Sequence, residues 1–223
     1  MTRAVIFDVD GTLVDTVDLH ATVWVETLAR FGVQADFHEV RSQIGKGGDQ
    51  LLPVFAPESL VEAQGDAIKT DASAMYQTEY MPRAKPFPGV RALFDRLHAD
   101  GKRVALGSSG KAAEIEHYIG LLGIEGVADV VTTSEDAEHS KPFPDIFLAA
   151  FEKLQPVDRT EVVVVGDSPF DAQAAIGAGL TPVAVLSGGF PENDLRAAGF
   201  VEVHADPAGL LADYDGSILG RRT

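Results

Sequence analysis

Four consecutive valines, Val162-Val163-Val164-Val165, end in Gly166-Asp167. A continuous β-branched run of this kind belongs to a strand buried on both faces, as in parallel sheets with helices above and below. The chain around it repeats the alternation such a sheet requires. Val90, Leu93, Phe94 and Leu97 fall at helical spacing, with Gly101 at the expected helix stop, and the strand Arg103-Val104-Ala105-Leu106 follows. Next come a helix carrying Ile115, Ile119 and Leu122 on one side, and a strand at Asp129-Val130-Val131-Thr132. A helix with Ile146, Phe147, Ala150, Phe151 and Leu154 leads to the valine run. A further helix over 169–178 and the strand Pro182-Val183-Ala184-Val185-Leu186 complete the pattern. Arg3-Ala4-Val5-Ile6-Phe7 supplies another buried strand at the start. The expected fold is α/β, a doubly wound parallel sheet with a Rossmann-like core, whose ligands gather at the carboxyl ends of the strands.

Residues 15–85 break this alternation. Val17, Ala21, Trp24, Leu28 and Phe31 step at helical intervals, Asp36 and Glu39 form a capping-box pattern, and a mostly polar helix spans roughly 57–80, interrupted at Gly65. With no convincing strand, the segment is expected as an all-helical insertion, hinged near Asp15-Thr16 and at the cluster Pro82, Pro86 and Pro88. The expected domains are an α/β catalytic core over 1–14 and 86–213, a helical cap over 15–85, and a loose C-terminal tail over 214–223.

The 223 residues are 45% apolar and 23% charged, enough to bury a full core. No apolar run approaches the roughly 20 residues that span a bilayer, and the first apolar stretch ends in acids rather than a cleavage site. A cytoplasmic protein without membrane contact is expected. There is no cysteine, so disulfides, thiolate metal sites and cysteine nucleophiles are excluded. The formal charge of −16 argues against a nucleic-acid partner, since phosphate backbones are bound by excess lysine and arginine. A small phosphorylated metabolite remains open, provided local cations offset the field.

The strand ends carry the chemistry. The first strand runs into Asp8-Val9-Asp10-Gly11-Thr12, where alternation points Asp8 and Asp10 to the same side. Two like charges a few Å apart fit a hard divalent metal, or a nucleophile beside a proton donor, while Asp10-Gly11 is equally a tight turn. Gly107-Ser108-Ser109-Gly110 follows the next strand and reads either as an anion-binding helix N-terminus or as serine capping. Lys141, stiffened by Pro142-Phe143-Pro144, is either an aimed ammonium or a solvated loop lysine. Asp167 ends the most apolar strand, where an unpaired charge would be expensive. Ser168 and Asp171 also form a capping-box pattern, compatible with a metal role for Asp171.

In this order and spacing, Asp8-Val9-Asp10-Gly11-Thr12, Ser108, Lys141-Pro142 and Gly166-Asp167-Ser168-Pro169-Phe170-Asp171 resemble the four motifs of the haloacid dehalogenase superfamily of phosphohydrolases. The resemblance covers roughly residues 1–212. It is to the branch with a helical cap after the first motif, which includes phosphoglycolate phosphatases and β-phosphoglucomutases.

The resemblance implies a Mg²⁺-dependent phosphatase of a small phosphomonoester, such as a sugar phosphate or phosphoglycolate, acting through an aspartyl-phosphate. Asp8 would be nucleophile and metal ligand, Asp10 general acid and base with its backbone carbonyl on the metal, and Asp167 a further ligand. Asp171 would stand in or just outside the metal's first shell, and Ser108, Ser109 and Lys141 would hold the phosphoryl oxygens. An acid at position 10 sets the chain apart from dehalogenases and phosphonate hydrolases of similar architecture. His139 stands where the family more often has a small residue. Arg41 and Lys46, beside Gly45, Gly47 and Gly48, are candidates for gripping the far end of the substrate, against a reading as a helix stop with solvated cations. Trp24 is expected in core packing. The alternatives are a β-phosphoglucomutase-like phosphomutase and a non-catalytic sugar-phosphate-binding protein, and on every reading the chain is expected as a monomer or homodimer.

Overall fold

The computed structural model describes residues 1–221. Its strands are β1 (Ala4–Phe7), β2 (Val14–Asp15), β3 (Lys85–Pro86), β4 (Arg103–Gly107), β5 (Val130–Thr132), β6 (Val162–Gly166), β7 (Thr181–Val185) and β8 (Glu202–His204). Six of them form a sheet in the order β5-β4-β1-β6-β7-β8, parallel throughout. The helices are α1 (Val17–Arg30), α2 (Phe37–Arg41), α3 (Gly48–Phe55), α4 (Glu58–Met75), α5 (Val90–Ala99), α6 (Ala112–Leu122), α7 (Asp145–Lys153), α8 (Pro169–Gly177), α9 (Glu192–Ala198) and α10 (Pro207–Ala212).

Strand alternation explains the unbroken apolar runs. Val5, Phe7, Val163 and Val165 join Phe94, Leu97, Ile115, Tyr118 and Leu210 on one face, and Phe7 packs on Phe94 with ring centroids 4.8 Å apart. Ala4, Ile6, Val162 and Val164 point to the other, against Ile146, Phe147, Ala150, Ala174 and Ala175. Phe147 is fully buried, so truncating it to alanine is expected to cost about 3–5 kcal/mol.

The register positions the site. Val162 to Val165 pair in step with Ala4 to Phe7, and Arg103 to Leu106 flank the other side. Asp8 therefore leaves β1 level with the ends of β4 and β6, and its N–H extends the ladder to the Val165 carbonyl at 2.9 Å. The chain order reverses beside β1, and there the loops after β1 and β6 diverge to opposite faces and open a crevice.

Between β2 and β3 the described residues form helices. Val17, Ala21, Leu28, Val40, Leu51, Leu52 and Ile68 make a separate apolar cluster there. β2 and β3 pair as a short antiparallel ribbon where only hinge loops are expected from sequence. α4 runs through Gly65 without interruption and continues into a π turn at Tyr76–Tyr80. The elements from β8 to α10 carry patterns too short to read in advance.

The expected loose tail is corrected. Tyr214, Ser217 and Leu219 are each about 1% exposed, with Tyr214 and Leu219 in the core cluster, and Thr2 donates to the Ile218 carbonyl. The apolar side chains of this short segment have a face of the sheet domain to cover. Residues 222–223 of that tail lie outside the described residues.

Candidate active site

Asp8, Asp167 and Asp171 are buried together around one ammonium. Lys141 Nζ donates to Asp8 Oδ1 at 2.5 Å and to Asp171 Oδ1 at 2.8 Å. Lys141 stands at the end of the long loop between β5 and α7, rather than directly at a strand end as its place in the sequence suggests. Thr12, in the turn after β1, points its hydroxyl between Asp8 Oδ2 at 3.2 Å and Asp167 Oδ1 at 3.0 Å.

Three carboxylates share too few cations. Burial pushes Asp8 up to about 7, opposed by Lys141 and reinforced by the charges of Asp171 and Asp10. Burial, then Asp171 and Asp8, hold Asp167 well above the usual carboxylate range. Burial also works against the Lys141 ammonium, but Asp171 and Asp8 outweigh it and hold the proton more firmly than usual. Asp167 Oδ2 receives no hydrogen bond among the described residues. It is enclosed by Gly11, at φ 78°, where a Cβ would come within 2.5 Å of it, and by Gly188, where a Cβ would overlap the carboxylate. An all-oxygen donor set with unbalanced negative charge and room beside it fits a hard divalent cation.

Asp171 differs from the other two. Its Oδ1 is bound to Lys141, and its Oδ2 accepts from the Ser168 hydroxyl at 2.6 Å and N–H at 3.0 Å, in a capping box at the start of α8. Both oxygens are committed, so Asp171 is an anchor for Lys141. The cap expected from sequence is present.

Asp10 is only partly buried, and its Oδ1 meets the Thr16 hydroxyl at 2.7 Å and His20 Nε2 at 3.1 Å. Burial opposes its charge, but His20, through charge and hydrogen bond, and Thr16 hold the carboxyl below its usual range. His20 is raised although its burial favours the neutral ring, because Asp10 and Glu114 favour the imidazolium.

These groups open into a cavity of about 370 Å³ between the sheet end and the helical insertion. Asp8, Asp10, Ser109 and Lys141 line it from below, and Lys46, Lys69 and Trp24 from above. Ser109 Oγ is buried without a partner among the described residues, whereas Ser108 Oγ accepts from Gly110 N–H at 3.0 Å and Ser108 is nearly fully enclosed. Lys46 donates to Gln43 at 2.7 Å and lies 4.7 Å from the centroid of the Phe170 ring. Trp24 packs in the helical cluster and faces the cavity as well.

Arg41 is corrected as a substrate contact. Its guanidinium binds Asp18 Oδ1 at 2.6 Å and the Gly188 carbonyl at 3.0 Å, and it does not line the cavity. It ties the helical insertion to the loop beside Asp167. A second tie joins Asp49 to the Ser140 hydroxyl and N–H, with Gly47 N–H donating to Ser140 Oγ at 2.9 Å. His139 is accommodated by donating its N–H to Asp145 at 2.9 Å, at the start of α7.

Sequence reading missed Thr12, Thr16, His20, Lys69, Glu114 and Gly188. Thr12 and Thr16 lie close to the first acids in sequence and could have been weighed with them. His20 sits four residues beyond Thr16 on α1, a spacing that places both on one helix face. Lys69, Glu114 and Gly188 carry no local signal.

A family model described as haloacid dehalogenase-like hydrolase matches residues 5–185. A phosphoglycolate phosphatase of Rhodospirillum rubrum is 32% identical over 221 residues, covering 94% of this chain and 90% of the relative. The fructose-1-phosphate phosphatase YqaB of Escherichia coli K12 is 28% identical over 181 residues, covering 81% and 94%. The crystal structure of a hydrolase from Pseudomonas syringae superposes with a TM-score of 0.89 at 27% identity, covering 96% of this chain and 99% of that one. No helix among the described residues is long and apolar enough to cross a membrane.

Proposed function

The chain belongs to the haloacid dehalogenase-like hydrolases, and we propose that within them it is a Mg²⁺-dependent phosphatase of a small phosphorylated metabolite, acting through an aspartyl-phosphate on Asp8. The observation that carries this reading is Lys141 held between Asp8 and Asp171 at the floor of one cavity, with Asp167 alongside. The names of the relatives agree with phosphate esters as substrates.

Asp8, Asp167 and the backbone carbonyl of Asp10 would hold the cation. Bound there, Mg²⁺ supplies charge neutralisation for the carboxylates and the phosphoryl oxygens. The Lys141 ammonium and the hydroxyls of Ser108 and Ser109 hold the other phosphoryl oxygens. In the first step a carboxylate oxygen of Asp8 forms a bond to phosphorus as the ester P–O bond breaks, and Asp10 gives its proton to the departing alkoxide. In the second, Asp10 takes a proton from water while the water oxygen bonds to phosphorus and the acyl-phosphate P–O bond breaks, restoring Asp8. Asp10 is ionised in the free site. An arriving phosphate dianion favours its protonated form, and His20 Nε2 stands 3.1 Å away as a proton donor.

The helical insertion acts as a cap, since Lys46, Lys69 and Trp24 close the cavity over the carboxylates. The test is phosphate release from a panel of sugar phosphates and phosphoglycolate, with Mg²⁺ and with a chelator. Metal-dependent release is expected. Isomerisation of a hexose phosphate without release would replace the reading with a phosphomutase.

A further inference from the structure

Glu114, in the first turn of α6, is a carboxylate only 7% exposed, and glutamate is almost never buried without a partner. Its ion-pair partner among the described residues is His20, whose Nε2 lies 3.7 Å from Glu114 Oε1 and 3.1 Å from Asp10 Oδ1. One ring nitrogen thus faces two acids. The ring's flat side is covered by Tyr76, stacked at 3.9 Å between centroids and 12° from parallel. The Tyr76 hydroxyl is hydrogen-bonded to Tyr118, one turn beyond Glu114 on α6.

The contacts come from two parts of the chain. His20 and Tyr76 belong to the helical insertion, and Glu114 and Tyr118 to the sheet domain. On α1 alone the imidazole could swing away from Asp10 by rotating about its own side-chain bonds. Glu114 on one side and Tyr76 on its face remove that freedom.

We infer that Glu114 is a positioning residue for the acid–base step, holding His20 so that the imidazole fixes the Asp10 carboxyl toward the leaving oxygen. The inference rests on the proposed acid–base role of Asp10. Glu114 lines the same cavity as Asp10 and His20, and its assigned part is through His20 rather than on the reacting atoms. It acts by keeping a proton-transferring carboxyl in one orientation, where small misplacements are costly.

Leaving-group dependence tests this. Alkyl phosphates need a proton at the departing oxygen, while an aryl ester such as p-nitrophenyl phosphate leaves readily without one. Glu114→Met keeps side-chain length and removes the acceptor. It is expected to lower kcat/KM, which reports the phosphorylation step alone, about tenfold on an alkyl phosphate and less than about twofold on the aryl ester, while slower dephosphorylation lowers kcat on both. Equal losses of kcat/KM on both esters, or no loss on either, would overturn the inference. Glu114→Ala and His20→Asn provide a second reading through the double variant His20→Asn/Glu114→Ala. If Glu114 acts through His20, the double variant loses no more on the alkyl ester than His20→Asn alone, whereas multiplied losses count against it. Asp10→Asn measured in parallel separates the two levels. Should Asp10→Asn discriminate between esters and Glu114→Met not, only the role of Glu114 falls. Should Asp10→Asn fail to discriminate, the acid–base reading falls and this inference with it.

Discussion

Lys141 Nζ stands 2.5 Å from Asp8 Oδ1 although 133 residues separate them in sequence. Both side chains are almost completely enclosed, so neither charge can be satisfied by water. Their pairing joins the loop before α7 to the end of β1 and opposes the burial that raises Asp8.

Removing the cation should therefore harm more than catalysis. Lys141→Met is expected to abolish phosphate release and to lower stability by about 3–5 kcal/mol, the range for breaking a buried ion pair from one side. Denaturant unfolding checks the second effect. A variant as stable as the wild type would show that the carboxylates escape their repulsion by protonation at little cost.

The glycine beside Asp167 gives a sharper test of the cation site. A Cβ at Gly188 would overlap the Asp167 carboxylate, so Gly188→Ala is expected to displace it while leaving the core intact. The rise in thermal midpoint on adding Mg²⁺ should shrink or vanish, since ligand stabilisation scales with affinity for the folded state. An undiminished Mg²⁺ shift would mean that Asp167 is not a ligand.

The two serines should separate by stability. Ser108 Oγ accepts from Gly110 N–H, so Ser108→Ala is expected to cost about 1 kcal/mol and, on the proposed function, a phosphate contact as well. Ser109 Oγ is buried without a partner among the described residues, and Ser109→Ala should cost no stability yet weaken inhibition by inorganic phosphate severalfold. Thermal unfolding and product inhibition measure the two quantities. Loss of stability in Ser109→Ala would contradict the orphaned hydroxyl.

The pH dependence of the metal-free protein follows from the sign of the shifts. Burial is the largest cause that raises Asp8 from 3.8 and Glu114 from 4.5, each to about 7, so the fold holds protons that the unfolded chain has already lost. Their contribution is fully present below the unfolded values and is lost as pH rises through about 7. His20, also raised, adds a loss of the same sign at higher pH, above its ordinary value of 6.5. In chelator, the thermal midpoint should fall between pH 4 and 7, and Mg²⁺ should flatten that fall. A midpoint that climbs across this window in chelator would refute the shifts.

Sequence by itself determined the layered α/β fold and singled out Asp8, Asp10, Lys141 and Asp167 as site candidates. Strand periodicity, the β-branched run at Val162 to Val165 and the turn chemistry at each strand end are properties of neighbouring residues, legible without coordinates. The same locality made the Ser168–Asp171 cap visible and left the short elements around α10 and the buried Tyr214 unread. Only the tertiary structure decided how those positions are used. Asp171 spends its oxygens on Lys141 and Ser168, Arg41 turns to Asp18 and Gly188, and His20 comes between Asp10 and Glu114. Each outcome turns on competition from a partner distant in sequence, Lys141 for Asp171, Gly188 for Arg41 and Glu114 for His20. That competition is settled by sheet register and by the seating of the helical insertion, and its partners lie too far apart in the chain for any local pattern to reveal them.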